Sequence, residues 1–452
     1  MKPIKSVSGI RGILNKTLLI DDITSYVLSF SKIQKQKKLP ILIARDSRTT
    51  GRQISSHIIK VLTKAGRDII DCDIIPTPTA QIVTDKFNIA GAIVVTASHN
   101  PSEWNGLKFI DSDGIFLDKK INEKLFKYSR DNSKNSNEIN PKAGNISFYK
   151  ESIDFHIDNV LNIGFINFKK ITNRKFKIVL DTINGASCYG FYKLLKKLNC
   201  EIIHINNKPN GIFKRNPEPK TENIKDLAKI VLENNADLGF VTDPDGDRLA
   251  IIDNKGDIMI EENTLVLCVD EFLSKTKKNH PIITNLSTTA AIEDIAKKYR
   301  VNVVRSAVGE INVVNKMKEL NAMIGGEGNG GIILAESHYG RDAFVGAIII
   351  LNHLATNHIT MCEAQQKIPK YYMIKEKIEI KSKLTKSKIH KKIKESFEGL
   401  SFDETDGIKV IDLDFWVHIR QSNTEPIIRI YIESKFKKDL KKIFNKIIQT
   451  LN

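Results

Sequence analysis

Two hydrophobic periods alternate along this chain, and the switching between them sets its architecture. Short apolar runs bounded by turn residues predict strands at Ile41–Ala44, Ile69–Ile74 and Ala92–Thr96. Between them, apolar residues at helical spacing predict helices over Arg52–Ala65 and Thr79–Phe87. Strand and helix in alternation point to α/β architecture. The pattern starts again near Phe176, with strands at Lys177–Leu180, Glu201–Ile205 and Leu238–Val241 and helices over Tyr189–Leu198 and Glu222–Asn235. Leu249–Ile252 and Asp257–Ile260 then flank Asn254-Lys255-Gly256, a hairpin signal. A third round has strands at Ile282–Leu286, Val301–Arg305 and Ala322–Ile324, with helices over Ala290–Lys298 and Ala343–Ala355. From about Lys375 the pattern changes to a charged helix and strands at Ile408–Ile411, Phe415–Ile419 and Ile427–Ile432. Leu440, Ile443, Phe444, Ile447 and Ile448 mark an amphipathic closing helix.

The expected fold is therefore three similar α/β domains and a C-terminal α+β domain, divided at residues 1–135, 150–255, 256–368 and 375–452. The polar stretch Asp131–Asn137 reads as a surface loop near the first boundary. At 452 residues the chain is too long for one ordinary domain, and a 41% hydrophobic share suffices for packed cores. No run reaches the ~18 uncharged apolar residues of a membrane span. The start, Met1-Lys2-Pro3-Ile4-Lys5, has no apolar signal region, so a cytoplasmic protein without membrane contact is expected. Five scattered cysteines without a C-x-x-C pair indicate neither a zinc knuckle nor a disulfide framework. The net charge of +17 fits either a basic groove or compositional drift, because Lys, Ile and Asn are heavily used throughout. Dispersed lysines and the lack of an aromatic-rich basic stripe favour drift plus a phosphate-binding cleft, with no nucleic-acid partner.

Candidate chemistry concentrates in four loops. Thr96-Ala97-Ser98-His99-Asn100-Pro101 follows a buried-strand pattern and ends in a breaker, which places Ser98 and His99 on a turn at a strand's end. A hydroxyl, an imidazole and Lys108 ten positions on supply a nucleophile and two proton carriers. Asp243-Pro244-Asp245-Gly246-Asp247-Arg248 sets three carboxylates at alternate positions. Such a turn can converge on one hard divalent cation. The glycine is fourth and the twelfth residue is Asn254, so a calcium EF-hand is excluded, and magnesium completed by a phosphate suits the loop.

Gly325-Gly326-Glu327-Gly328-Asn329-Gly330-Gly331 lacks the Gly-Lys-Ser/Thr ending of a nucleotide loop. Its Glu327 and Asn329 suit sugar hydroxyls. Arg420-Gln421-Ser422-Asn423-Thr424-Glu425-Pro426 offers a guanidinium, hydroxyls and an amide, a set that matches a phosphate dianion, and Arg429 would add a second fork. A polar hairpin connection would have the same composition. Near the N-terminus, Ser8-Gly9-Ile10-Arg11-Gly12 supplies Arg11, which could reach a reacting phosphate. Arg45 and Arg48 are expected to pair with carboxylates structurally, given Asp46 between them. His338, His418 and the other histidines read as satisfied core or surface residues.

Together and in this order, the four loops resemble those of the α-D-phosphohexomutase family. Pro76-Thr77-Pro78-Thr79, Asp181–Ala186 and Asn216-Pro217-Glu218-Pro219 fit it too, so the resemblance spans nearly the whole chain. It implies mixed-sheet domains around a central cleft, one loop from each. It implies an enzyme, an intramolecular phosphotransferase that interconverts sugar 6-phosphate and 1-phosphate through a phosphoserine and a hexose 1,6-bisphosphate. Carried over, Ser98 is the phosphoserine, and Asp243, Asp245, Asp247 and the phosphate on Ser98 hold Mg²⁺. His99, Lys108 and Arg11 serve phosphoryl and proton transfer. Arg248, Glu327, Asn329, Arg420, Ser422, Asn423, Thr424 and Arg429 bind a small-molecule phosphosugar, and the protein is a monomer or homodimer. A hinge near residues 368–375 would let the fourth domain close. Many bacterial members carry Ser-Gly-His in the sugar loop, where this chain has Asn329-Gly330-Gly331, so the histidine's role must pass elsewhere; Glu310 is a candidate. Asn423 replaces a glycine common in bacterial phosphoglucosamine mutases, and Ala290 stands where relatives often have Arg. The sugar loop looks more like that of archaeal-type phosphoglucosamine mutases and related phosphomannomutases. Glucosamine phosphate is therefore the expected substrate, with mannose or glucose phosphate as the alternative and a non-catalytic sugar-phosphate binder as a third possibility.

Overall fold

Ile93 and Val95 face one way from their strand while Ala92 and Val94 face the other, yet all four are buried. A strand buried on both faces needs helices on both sides of its sheet. The computed structural model, which describes residues 3–132, 142–276, 280–379, 385–421 and 427–451, has that arrangement. The first sheet runs in the order Ile4–Ser6, Gly9–Ile13, Trp104–Asp111, Gly91–Val95, Ile41–Arg45, Ile69–Ile74, Ile146–Phe148. It is parallel at its centre and antiparallel where Trp104–Asp111 joins it. Helices Ile20–Ile33 and Gly51–Lys64 cover one face, and Thr77–Lys86 covers the other.

The second sheet is ordered Leu249–Asp253, Leu238–Thr242, Lys177–Asp181, Glu201–Ile205. The third is ordered Val303–Ser306, Ile282–Asn285, Ile324–Glu327, Gly331–Leu334. Both mix parallel pairs with one antiparallel pair. These two sheets share one continuous core, formed around helices Glu261–Thr276 and Ala343–Asn357. Every residue from Ala343 to Ala355 is buried, as expected of a helix that is apolar on all sides and packed between layers. The fourth sheet is antiparallel, ordered Tyr372–Glu379, Ile427–Ser434, Phe415–Gln421, Ile408–Ile411, Ser401–Asp403, with helices Lys386–Ser396 and Lys437–Leu451 packed on its apolar face.

The α/β reading with an α+β C-terminal unit therefore holds, and several elements differ in detail. The hairpin expected around Asn254–Gly256 reduces to a single bridge, Ile252 to Ile258. The helix expected over Glu222–Asn235 breaks at Ile224, with a short 3-10 turn before it. The glycine-rich loop is a tight hairpin whose strands carry Glu327 and Gly331 as cross-strand partners. Strand Tyr372–Glu379 runs through part of the expected hinge, and residues 372–375 are paired along it. Among the described residues no helix is long and apolar enough to cross a membrane. Most of the loop expected over Asp131–Asn137, and Ser422, Asn423 and Thr424, lie outside the described residues.

Candidate active site

Ser98 is buried and its backbone is left-handed, with φ of 49°. A non-glycine residue holds that conformation only where its surroundings over-determine it. Here Ser98 N donates to Thr96 Oγ1 at 2.9 Å, and Thr96 Oγ1 donates to Asp46 Oδ2 at 2.6 Å. Arg48, itself buried, is held by Asp46 through Nε at 3.0 Å. Its two terminal nitrogens donate to the carbonyls of Ser98, Asn100, Pro101 and Trp104. The expected structural pairing of Arg48 with Asp46 is thus present, and the pair also staples the serine loop. Arg45 pairs instead with Asp73 at 2.6 Å.

The acidic loop meets this serine. Ser98 Oγ donates to Asp243 Oδ2 at 3.0 Å. Gly246 makes the loop's turn at φ 73°, where a Cβ would collide with Ser187. Thr77 N donates to the Asp245 carbonyl at 2.9 Å and Ala186 N to that of Pro244 at 2.7 Å, so the first two sheets' loops both brace it. Asp243, Asp245 and Asp247 are fully buried, and each offers an oxygen within 4.8 Å of the others. Burial first, then the charges of Asp247 and Asp245, push Asp243 well above the usual carboxylate range. Burial opposes the charge of Asp245 too, but Lys108 outweighs it and holds that carboxyl below the usual range. Lys108 Nζ donates to Asp245 at 2.6 Å and Asp247 at 3.3 Å. Burial would lower Lys108, and these two carboxylates overcome it to raise its pKa.

Asp245 Oδ1 and Asp247 Oδ1 are buried with no hydrogen-bond partner among the described residues. Buried carboxylate oxygens without donors are costly. A hard cation with oxygen ligands would satisfy both, so the residues fit magnesium.

The other sequence-predicted residues take two positions. His99 Nδ1 lies 3.4 Å from Ser98 Oγ. The Arg248 guanidinium, then burial and Arg11, hold His99 well below the usual histidine range, so the ring is neutral at pH 7. Arg11 donates to Asn100 Oδ1 at 2.9 Å, and burial, partly offset by Asp245, lowers it to about 10. Arg248 contributes its backbone N to Asp243 Oδ1 at 3.3 Å. Glu327 is buried and accepts from Asn285 at 2.8 Å and from Gly309 N at 3.0 Å. Asn329 reaches Glu327 at 3.5 Å and accepts from Gly331 N at 3.2 Å. Arg420 and Arg429 are cross-strand partners in the fourth sheet. Like charges directly opposite are destabilising unless something anionic lies between them. Arg420 pairs with Asp406 at 2.9 Å, while Arg429 Nε is buried without a partner among the described residues. Asp406 also accepts from Val308 N at 3.0 Å, next to the Gly309 amide that holds Glu327.

Sequence reasoning missed Arg341. Its Nε, Nη1 and Nη2 donate to Glu310 at 2.8 Å, Glu327 at 2.9 Å and Asp247 at 2.6 Å. The one local signal is its place before Asp342, which caps the apolar helix Ala343–Asn357. Lys375, at the expected hinge and the start of the fourth domain, is not expected from the sequence to touch the site. It pairs with Glu261 at 3.0 Å and Glu262 at 2.8 Å and reaches the Gly328 carbonyl at 3.4 Å.

Comparison with known proteins matches most of the chain. Residues 3–136, 154–256, 261–372 and 379–450 match, in order, domains I, II, III and the C-terminal domain of phosphoglucomutase/phosphomannomutase. A phosphoglucomutase/phosphomannomutase from Thermococcus kodakarensis is 35% identical, over 94% of this chain and 93% of its own. A phosphoglucosamine/phosphogalactosamine mutase from Sulfurisphaera tokodaii is 31% identical, over 96% of both chains. The crystal structure of a phosphoglucomutase/phosphomannomutase family protein from Burkholderia thailandensis superposes with a TM-score of 0.85 at 24% identity, covering 99% of this chain and 98% of that one.

Proposed function

The chain belongs to the phosphoglucomutase/phosphomannomutase family, the α-D-phosphohexomutases, and on that premise we propose that its preferred reaction interconverts glucosamine 6-phosphate and glucosamine 1-phosphate. It is an isomerase that moves a phosphoryl group between two oxygens of one hexose. The observation that carries the mechanism is the contact between Ser98 Oγ and Asp243 at 3.0 Å, beside two carboxylates with oxygens that accept no hydrogen bond among the described residues.

In this reading Ser98 carries the phosphoryl group. A sugar hydroxyl attacks phosphorus, the bond to Ser98 Oγ breaks, and the hydroxyl proton leaves to a base. The resulting hexose 1,6-bisphosphate turns over, and its other phosphoryl group returns to Ser98 with the proton flow reversed. Phosphoryl transfer needs alignment and charge neutralisation more than covalent help. Asp243, Asp245 and Asp247 would hold Mg²⁺, which supplies charge neutralisation on the phosphoryl oxygens when bound. Lys108 and Arg11 add positive charge from the protein. Neutral His99, adjacent to Ser98 Oγ, would take the proton only in transit, because the Arg248 and Arg11 charges disfavour the imidazolium. Arg420, Arg429 and the segment holding Ser422, Asn423 and Thr424 would grip the non-reacting phosphate, which supplies remote binding energy for positioning. Arg248, Glu327 and Asn329 would face the sugar.

Glucosamine is supported by the names of several relatives, among them the phosphoglucosamine mutases of Methanococcus vannielii and Methanocaldococcus jannaschii. The name of the Thermococcus relative favours mannose or glucose phosphate as the second reading. In the same proposal the domains span residues 1–135, 150–255, 256–368 and 375–452, and the enzyme acts in the cytoplasm as a monomer or homodimer. A coupled assay comparing the 1-phosphates of glucosamine, mannose and glucose on one batch tests the substrate. The highest kcat/KM is expected for glucosamine; a higher value for either other sugar selects the alternative. Loss of all three activities would leave only a non-catalytic binder.

A further inference from the structure

The sugar hairpin, the acidic loop and the start of a helix meet at one guanidinium. Arg341 is buried, and each of its nitrogens serves a different carboxylate. Glu327 belongs to the sugar hairpin, Asp247 to the acidic loop beside Ser98, and Glu310 starts the helix Glu310–Glu319. A guanidinium is planar and rigid, so its donors fix their acceptors relative to one another. An ammonium could not do this, because it is a compact point charge without a fork.

The point from which Arg341 projects is itself anchored. The next residue, Asp342, accepts from Phe344 N at 2.8 Å and caps the buried helix. Its other oxygen is 2.7 Å from His156 Nε2 and 3.1 Å from His338 Nε2. His156 Nδ1 is in turn 2.8 Å from Thr79 Oγ1. Backbone motion at 341–342 would therefore disturb a fully buried network.

The stem of Arg341 needs space that the sugar hairpin provides by omission. Gly331 is the cross-strand partner of Glu327. A Cβ on Gly331 would lie 2.9 Å from Arg341 Cγ and closer still to Cδ. Its backbone φ lies outside the left-handed region that would itself require glycine. Occupancy by the arginine stem, with Asn329 Oδ1 also close at 3.0 Å, is what excludes a side chain there.

We propose that Arg341 is a positioning residue that sets the separation of the sugar-reading Glu327 from the phosphoryl-handling Asp247, in space that Gly331 leaves open. This rests on the mutase reading above. Arg341 acts through its carboxylate partners, with no bond made or broken at its own atoms. Misplacing reacting groups by about 1 Å costs on the order of 100-fold in rate.

The test is a set of variants assayed with glucosamine, mannose and glucose 1-phosphates, with thermal unfolding and the intact-mass occupancy of Ser98 read on each. Arg341→Lys and Arg341→Ala are expected to lower kcat/KM about 100-fold. Ser98 should remain phosphorylatable in both. Glu327→Gln should cost a similar factor, and Arg341→Ala with Glu327→Gln should be no worse than either alone, as for residues that act as a unit. Gly331→Ala should reproduce the loss in the wild-type background and add none to Arg341→Ala. Should Arg341→Ala fail to fold, Arg341→Lys and Gly331→Ala decide the matter. Wild-type turnover with Arg341→Lys within about threefold of it would overturn the inference, as would multiplying losses for Arg341→Ala and Glu327→Gln. No wild-type turnover on any of the three sugars would overturn the mutase reading instead, and this inference with it.

Discussion

Ser98 and Asp243 are 145 residues apart in sequence, and their side chains share a 3.0 Å hydrogen bond in a buried site. Each sits on the turn that follows a central strand, Gly91–Val95 or Leu238–Thr242, at the strand's C-terminal end. Open α/β sheets present their functional loops at that edge. Two such edges face each other here, which brings a serine hydroxyl to a set of carboxylates. Replacing Ser98 by Ala leaves the carboxylates in place and removes the only atom that could carry the phosphoryl group in this mechanism. We expect turnover to fall by on the order of a thousandfold or more. Wild-type protein treated with hexose 1,6-bisphosphate should gain a phosphate mass on the peptide carrying Ser98. A Ser98→Ala variant with wild-type rate would refute the assignment.

Arg48 concerns the strained backbone under that serine. It donates to four carbonyls of the 98–104 segment and is anchored by Asp46. Truncating one partner of a buried ion pair costs about 3–5 kcal/mol, because the other charge stays behind. Arg48→Ala would leave Asp46, already raised by burial, without its main counter-charge. The expected result is a lowered thermal midpoint together with poor phosphorylation of Ser98. Arg48→Lys should restore part of the stability but little of the phosphorylation, since one ammonium cannot span four carbonyls. Equal recovery of both would show that Arg48 stabilises without shaping the loop.

The legible part of this molecule is what local pattern can encode. Runs such as Lys177–Asp181 and Gly91–Val95 are short, apolar and bounded, so their strands were readable. Ser98 and the three aspartates were readable because their chemistry is contained in six-residue motifs. Trp104–Asp111 was not read as a strand, since Asn105 and Lys108 are polar yet buried and break the apolar pattern. Tyr372–Glu379 was missed for a related reason: its alternating Lys and Glu suggest a charged segment, although it pairs with Ile427–Ser434 along its length. Arg341 was unreadable because its partners lie 14, 31 and 94 residues away and no spacing rule links them.

Lys108 occupies oxygens of Asp245 and Asp247, two carboxylates that a bound cation would also use. It contacts Asp245 and Asp247 through one oxygen each, and the other oxygens of both accept no hydrogen bond among the described residues, Asp247 Oδ1 having only Arg248 Nε at 3.8 Å. Two like unit charges a few ångströms apart repel by on the order of several kcal/mol at an effective dielectric of ~20, before relaxation, so removing the ammonium would favour a cation held by the same carboxylates. Lys108→Met should thus tighten Mg²⁺ binding by about tenfold or more while lowering turnover about 100-fold, as loss of a charge that stabilises the transferring phosphoryl group does. Calorimetric titration and the coupled assay read the two effects separately. Weaker Mg²⁺ binding in Lys108→Met would mean that the lysine organises the carboxylates instead of competing for them. Chelation of wild-type enzyme should abolish turnover, and added Mg²⁺ should restore it.

Acid should loosen the fourth domain through one buried histidine. His418 is buried at the junction with the third domain: Nδ1 lies 2.8 Å from Ser287 Oγ, and Nε2 lies 2.6 Å from the Asp406 carbonyl. With Nε2–H donating to that carbonyl, Nδ1 must accept from Ser287, which requires a neutral ring. Burial first, then the neighbouring Lys409, lowers its pKa from 6.5 to about 4. A histidine depressed on folding binds fewer protons in the folded state than in the unfolded one. It therefore contributes stability that is present above pH 6.5 and lost as pH falls toward 4. The gap corresponds to at most about 3 kcal/mol for this one group. His204, half-buried against Thr182 in the second domain and lowered to about 4, adds a similar dependence there. His418→Gln should flatten the acid limb of the fourth domain's unfolding and leave that of the second domain unchanged. Hydrogen exchange on strand Phe415–Gln421, measured between pH 7 and pH 4.5, separates the two; an unaltered acid response in His418→Gln would remove His418 as its source.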